Sequence, residues 1–195
     1  LASADVIING QASSKFGTGI ATGDLNADGK TDLAIGGYGF STDTGRAYVF
    51  YADGTSNFGT ATCSGTPAIC SAANADALIT GSAGTLFGGY DGFSEALTIG
   101  DLNADGRNDL AVGAVNGNVV YIFYGGSITT ESYTGADVTI DGGGPDFGLT
   151  IDSGDINGDN RVDLIVGSYG ENYGPGAVFI FYNDGSYPAS ISGAD

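Results

Sequence analysis

The sequence predicts an all-β chain assembled from β-propeller blades. Two observations support this: one unit recurs three times with its internal order unchanged, and each unit offers about four strand-length segments rich in Val, Ile, Tyr and Phe. A third is negative: no stretch of the chain carries a helical period. Four strands per unit at this length suit a propeller blade better than a solenoid coil, whose repeats are shorter. A sandwich of hairpins would not explain why the same internal order is kept three times.

Each unit opens on Ala-Asp followed by a β-prone stretch: ADVIING from Ala4, ADALITG from Ala75 and ADVTIDG from Ala136. These starts are 71 and 61 residues apart and divide a single domain, 1–195, into repeats 4–74, 75–135 and 136–195. A Phe-Gly pair comes next, at Phe16-Gly17, Phe87-Gly88 and Phe147-Gly148. An acidic loop follows, then an apolar strand ending in small residues (LAIGGY, LAVGAV, LIVGSY), then an aromatic strand (AYVFY, VYIFY, VFIFY). Both of these strands are apolar at successive positions, as strands covered on both faces are. The 36 glycines serve tight turns and close sheet packing. The chain closes on Gly193-Ala194-Asp195, which reads as the opening of a fourth unit.

The acidic loops are DLNADGKTD from Asp24, DLNADGRND from Asp101 and DINGDNRVD from Asp155. Oxygen-bearing side chains stand at positions one, three, five and nine, with a turn at six, and position seven offers its backbone carbonyl. A hard divalent cation takes six to eight oxygens, and this spacing wraps them around one point, which predicts about three calcium ions per chain. The first set is Asp24, Asn26, Asp28, the Lys30 carbonyl and Asp32; the second is Asp101, Asn103, Asp105, the Arg107 carbonyl and Asp109. The third is Asp155, Asn157, Asp159, the Arg161 carbonyl and Asp163, with Asn160 in place of the usual Gly and an extra Gly158 that loosens the preceding turn. Asp/Asn turns without metal share these residue types, but three copies with an invariant ninth Asp favour calcium. An EF-hand would need Glu at position twelve, where the chain has Ile35, Val112 and Val166.

A net charge of −18 disfavours nucleic acid and anionic membrane surfaces and suits a cation or a basic partner. No apolar run is long enough to cross a bilayer. With no methionine and Leu1 first, the chain reads as a processed segment. Cys63 and Cys70 are the two cysteines, and no histidine accompanies them as a zinc partner. A disulfide stapling the longer first unit is favoured over two free thiols, and it points to an oxidising, extracellular compartment. No catalytic constellation can be assembled from a chain lacking His and holding only Glu95, Glu131 and Glu171 as glutamates, so no enzyme is predicted.

Phe-Gly, the D-x-N-x-D-G-x-x-D-L loop and the following Gly36-Gly37-Tyr38, Gly113-Ala114-Val115 and Gly167-Ser168-Tyr169 together resemble the FG-GAP repeat of the integrin α-subunit β-propeller. The last element lacks the family's proline. The resemblance implies structural calcium in the loops and a cell-surface role in adhesion or ligand recognition. It also implies alternatives: a lectin stacking sugars on turn aromatics such as Tyr38, Phe40, Tyr90, Tyr169 and Tyr173, or a spacer in a larger surface protein. Partners are thus a protein or glycan ligand. Family propellers usually have seven blades and this chain encodes three. The sequence therefore predicts a homodimer closing a six-bladed ring, each chain lending its first strand to the other's last blade, against the alternative of a portion of a longer propeller.

Overall fold

The computed structural model describes residues 4–54, 63–65, 68–91, 94–126, 128–170 and 175–191. Glu171, Tyr173 and the closing Gly193-Ala194-Asp195 lie outside these residues.

The architecture is all-β and propeller-like. The first blade is β2 (Ile20–Gly23), β3 (Asp32–Gly36), β4 (Arg46–Phe50) and β6 (Ala77–Thr80), each antiparallel to the next. The second is β7 (Leu97–Gly100), β8 (Asp109–Ala114), β9 (Val119–Phe123) and β11 (Val138–Asp141), in the same antiparallel order. The third contains β12 (Phe147–Gly154), β13 (Asp163–Ser168) and β14 (Ala177–Phe181), with no fourth strand among the described residues. Each outermost strand therefore comes from the start of the following sequence unit: β6 opens the second repeat and completes the first blade. β1 (Val6–Asn9), the equivalent strand of the first repeat, belongs to none of the three blades.

The Ala-Asp pairs are the corner pieces of this exchange. The Asp76 amide donates to the Val49 carbonyl, and its Oδ2 accepts from the Tyr51 amide at 2.8 Å. Asp137 repeats both bonds with Ile122 and Tyr124. One residue thus starts the outer strand and caps the aromatic one.

Short parallel strands, which the sequence pattern does not announce, cover the outer edges. β5 (Ala68–Ser71) lies along β1 and β10 (Glu131–Ser132) along β6, and Ser190 bridges to Asp141 at the edge of β11. Edges carrying unpaired backbone groups invite association, and these segments blunt them. β1, expected to be a loaned strand, thus has a partner within its own chain on one edge. Cys63 and Cys70 are disulfide-bonded, which ties the inserted loop of the first unit to β5.

Two clusters hold the blades together. Ala34, Ala47, Val49 and Ile79 of the first blade meet Leu97, Leu110, Val112 and Phe123 of the second. Ala111, Val120, Ile122 and Ile140 of the second meet Ile151, Leu164, Val166 and Phe181 of the third. The Phe of each Phe-Gly pair packs on the aromatic strand of its own unit, Phe16 on Tyr48, Phe87 on Tyr121 and Phe147 on Phe179, with ring centroids 5.1, 5.9 and 5.5 Å apart.

The glycine of the pair couples one blade to the next. A Cβ at Gly36 would collide with the Gly88 carbonyl oxygen, and one at Gly113 with the Gly148 carbonyl oxygen. The glycine ending the apolar strand therefore leaves room for the following blade's Phe-Gly turn.

Candidate metal centre

All three acidic loops are hairpin connections between the first two strands of a blade. The residue before the first Asp pairs with the ninth Asp across the ladder: Gly23 with Asp32, Gly100 with Asp109 and Gly154 with Asp163. The sheet thereby holds the two ends of each loop side by side.

The loop itself is wound on its own oxygens. The position-five amide (Asp28, Asp105, Asp159) donates both to Oδ1 of the first Asp and to Oδ1 of the Asn at three, at 2.8–3.1 Å. The position-six amide donates to Oδ2 of the first Asp. The position-seven amide donates to Oδ1 of the Asp at five, at 2.9 Å in each loop. Hydrogen bonds to shared backbone amides thus gather the side chains at positions one, three and five into three near-identical turns.

Position four is a second left-handed position in every loop. Ala27, Ala104 and Gly158 all have left-handed backbones, with φ of 60°, 59° and 81°, as do Gly29, Gly106 and Asn160 at position six. Gly158 does not loosen the third loop. It relieves strain at a position where the other loops hold alanine, while Asn160 carries the strain that glycine avoids elsewhere.

The ninth Asp is fully buried in every loop. Its Oδ2 accepts from the position-two amide (Leu25, Leu102, Ile156), and its Oδ1 accepts from the amide just beyond the aromatic strand (Ala52, Gly125, Asn183), all at 2.8–2.9 Å. This residue is a backbone clamp joining loop, second strand and third strand. Burial pushes the Asp109 carboxyl up to about 6 against the pull of the Gly125, Leu102 and Asn103 amides, and it raises Asp32 as well.

Among the described residues, no group of three Asp, Glu, Cys or His side chains forms a ready cation cage. The carboxylates at one and five bond loop amides, the ninth bonds the sheet, and the third donor is a carboxamide. The donor set of carboxylate, carboxamide and peptide carbonyl is nevertheless all hard oxygen, the chemistry that calcium takes. In the first loop Lys30 folds back so that its Nζ lies 2.8 Å from Asp28 Oδ2, and this hydrogen bond holds the Asp28 carboxyl below the usual range. Arg161 instead donates to the Asn183 carbonyl.

The following blade braces the first two loops. The Gly126 amide donates to the Leu25 carbonyl, and Asn183 Nδ2 donates to the Asp101 carbonyl.

The FG-GAP repeat matches at residues 16–50, 93–123 and 147–181, each match running from near the Phe-Gly turn through the acidic loop to the aromatic strand. The chain belongs to the FG-GAP repeat family. Phosphatidylinositol-glycan-specific phospholipase D of Bos taurus is 30% identical over 193 residues, covering 89% of this chain and 21% of that protein. Integrin alpha-7 of Rattus norvegicus is 31% identical over 175 residues, covering 84% of the chain and 14% of the integrin. Integrin alpha-PS5 of Drosophila melanogaster is 31% identical, with 85% and 16% covered. The chain spans about a fifth or less of these relatives, which include both a phospholipase and integrin subunits.

Of the aromatics singled out for sugar stacking, Tyr169 is 79% exposed and Tyr90 43%, whereas Tyr38 is buried and the Phe40 ring lies 3.6 Å under the Arg46 guanidinium. No helix among the described residues is long and apolar enough to cross a membrane.

Proposed function

We propose that this FG-GAP chain is an extracellular, non-catalytic recognition module whose loops bind calcium structurally, and that its exposed surface serves adhesion to a protein ligand. The observation that carries the cation reading is the threefold recurrence of one turn. Two carboxylates and a carboxamide accept the same loop amides on three hairpins of different sequence. The first ligand set is Asp24, Asn26, Asp28 and the Lys30 carbonyl, with Asp32 closing from the sheet. The second is Asp101, Asn103, Asp105, the Arg107 carbonyl and Asp109; the third is Asp155, Asn157, Asp159, the Arg161 carbonyl and Asp163. The bound ion would offset the repulsion of carboxylates held close together and pin each hairpin.

The disulfide supports an oxidising compartment. The likeness to integrin subunits supports adhesion, and of the aromatics named for sugar stacking the lectin reading keeps Tyr90 and Tyr169 as exposed surfaces among the residues described. Thermal unfolding with excess calcium and with excess chelator tests the cation. The melting temperature should fall by several degrees in chelator, because an ion bound only by the folded state adds to stability. Equal melting curves would refute the reading. Glycan-array binding lost on Tyr169→Ala would favour the lectin over adhesion.

A further inference from the structure

Three Asn-Gly pairs occur in the chain, at Asn9-Gly10, Asn116-Gly117 and Asn157-Gly158, and each follows a β-branched residue, Ile8, Val115 or Ile156. Asn-Gly readily loses its side-chain amide, because the nitrogen of a residue without Cβ can approach the Asn Cγ closely. The local sequences are alike, so the fold sets the three pairs apart. Asn9 ends β1, laddered to Ser71 of β5, and the space beside Gly10 is filled by the Phe16 side chain. Asn116 lies in the tight turn Val115–Gly117, its amide bonded to the Thr85 carbonyl and its Nδ2 to the Gly84 carbonyl. Gly158 stands in open space on an exposed loop.

The hydrogen bonds around Asn157 suit attack on its side chain. The Gly158 amide donates to Asp155 Oδ1 at 2.6 Å, so the nucleophilic nitrogen already shares its proton with a carboxylate. The Asp159 amide donates to Asn157 Oδ1 at 2.8 Å, the oxygen on which negative charge collects when Cγ is attacked. Asn157 Nδ2, the leaving nitrogen, lies 3.3 Å from Asp159 Oδ2. Nucleophile, base and oxyanion donor thus converge on one carboxamide. Among the described residues no such bond to a carboxylate is made by the Ala27 or Ala104 amide at position four of the other loops, nor by the Gly10 or Gly117 amide.

We propose that Asn157-Gly158 is a self-processing site, at which the third loop converts its own position-three carboxamide into a carboxylate. The Gly158 nitrogen bonds to Asn157 Cγ and gives up its proton to Asp155 Oδ1. The Cγ–Nδ2 bond breaks, that proton joins Nδ2, and ammonia departs from a succinimide. Water then opens the ring, and nothing is oxidised or reduced. Attack of water at Cγ yields aspartate; attack at the Asn157 backbone carbonyl carbon yields isoaspartate, in which the chain runs through the former side chain. Aspartate adds a charged oxygen donor to the loop, whereas isoaspartate lengthens the backbone by a methylene and displaces the acceptor that the Asp159 amide uses. Loops one and two carry Asn-Ala at these positions and keep their carboxamide. The reaction needs the turn and not a cation, so it can fail independently of the calcium reading.

The folded chain is incubated at neutral pH in chelator, digested, and its peptides weighed. Exchange of NH2 for OH at Asn157 should run about tenfold or more faster than at Asn9, Asn116, Asn26 or Asn103. In denaturant the three Asn-Gly pairs should react alike. Asn157 reacting no faster than Asn9 and Asn116 in the folded chain would overturn the proposal. A preference that survives denaturation would assign it to local sequence and overturn it equally. Asp155→Asn keeps an oxygen acceptor but not the base, and should slow the folded-chain reaction at Asn157 by about tenfold or more. Gly158→Ala gives the third loop the position-four residue of the other two and should slow it as much, with an unchanged circular dichroism spectrum. An Asp155→Asn chain that keeps both its fold and the parent rate sinks the role of the carboxylate and with it the proposal.

Discussion

At the scale of single residues, the three acidic loops solve one turn with different sequences. Two backbones per loop must be left-handed, and the chain places Ala-Gly, Ala-Gly and Gly-Asn there. An L-residue with a Cβ costs roughly 1–2 kcal/mol in that region. Ala27→Gly and Ala104→Gly should therefore each stabilise the chain by about 1 kcal/mol, less the entropy that glycine adds to the unfolded state. Gly158→Ala should lose a similar amount. Denaturant midpoints measured in chelator isolate this backbone effect from metal. The oxygens at one, three, five and nine were legible from spacing alone. The division of labour among them was not, because the burial of Asp32, Asp109 and Asp163 depends on strands far away in sequence. The Ala52, Gly125 and Asn183 amides reach these carboxylates across 16 to 20 residues of chain.

At the scale of elements, the order of strands within each unit could be read from β-prone composition, and the shared outer strand followed from the resemblance to integrin propellers. β5 and β10 could not, since each pairs in parallel through only a few residues and neither alternates apolar with polar. The left-handed turn Ser41–Asp43, with φ of 50°, 56° and 63°, likewise has no signature, because no glycine marks it. The glycines that end the apolar strands do have one, and it is steric. Gly113→Ala would drive a methyl into the Gly148 carbonyl, which belongs to the backbone of the next blade and cannot rotate away. The expected loss is about 2 kcal/mol or more. Gly154→Ala meets open space and should change stability by less than about 0.5 kcal/mol. Denaturant midpoints of the two variants against the parent chain check both values.

At the scale of the molecule, each acidic loop is braced by the blade that follows it. Gly126 bonds the Leu25 carbonyl and Asn183 bonds the Asp101 carbonyl, while Leu25 and Leu102 are buried in the clusters between blades. The third loop has an exposed Ile156 in the equivalent place and no such bond among the described residues. A loop whose ends are already ordered loses less entropy when it closes on an ion. Loops one and two should therefore bind calcium more tightly than loop three. Calorimetric titration of the metal-free chain with calcium should resolve two tighter sites and one weaker site, separated by about fivefold or more in affinity. Asp101→Ala should remove a tight site, whereas Asp155→Ala should remove the weak one and leave the tight pair unchanged. Three sites of equal affinity, or a tight site lost with Asp155→Ala, would show that the brace from the following blade does not set how well a loop holds its ion.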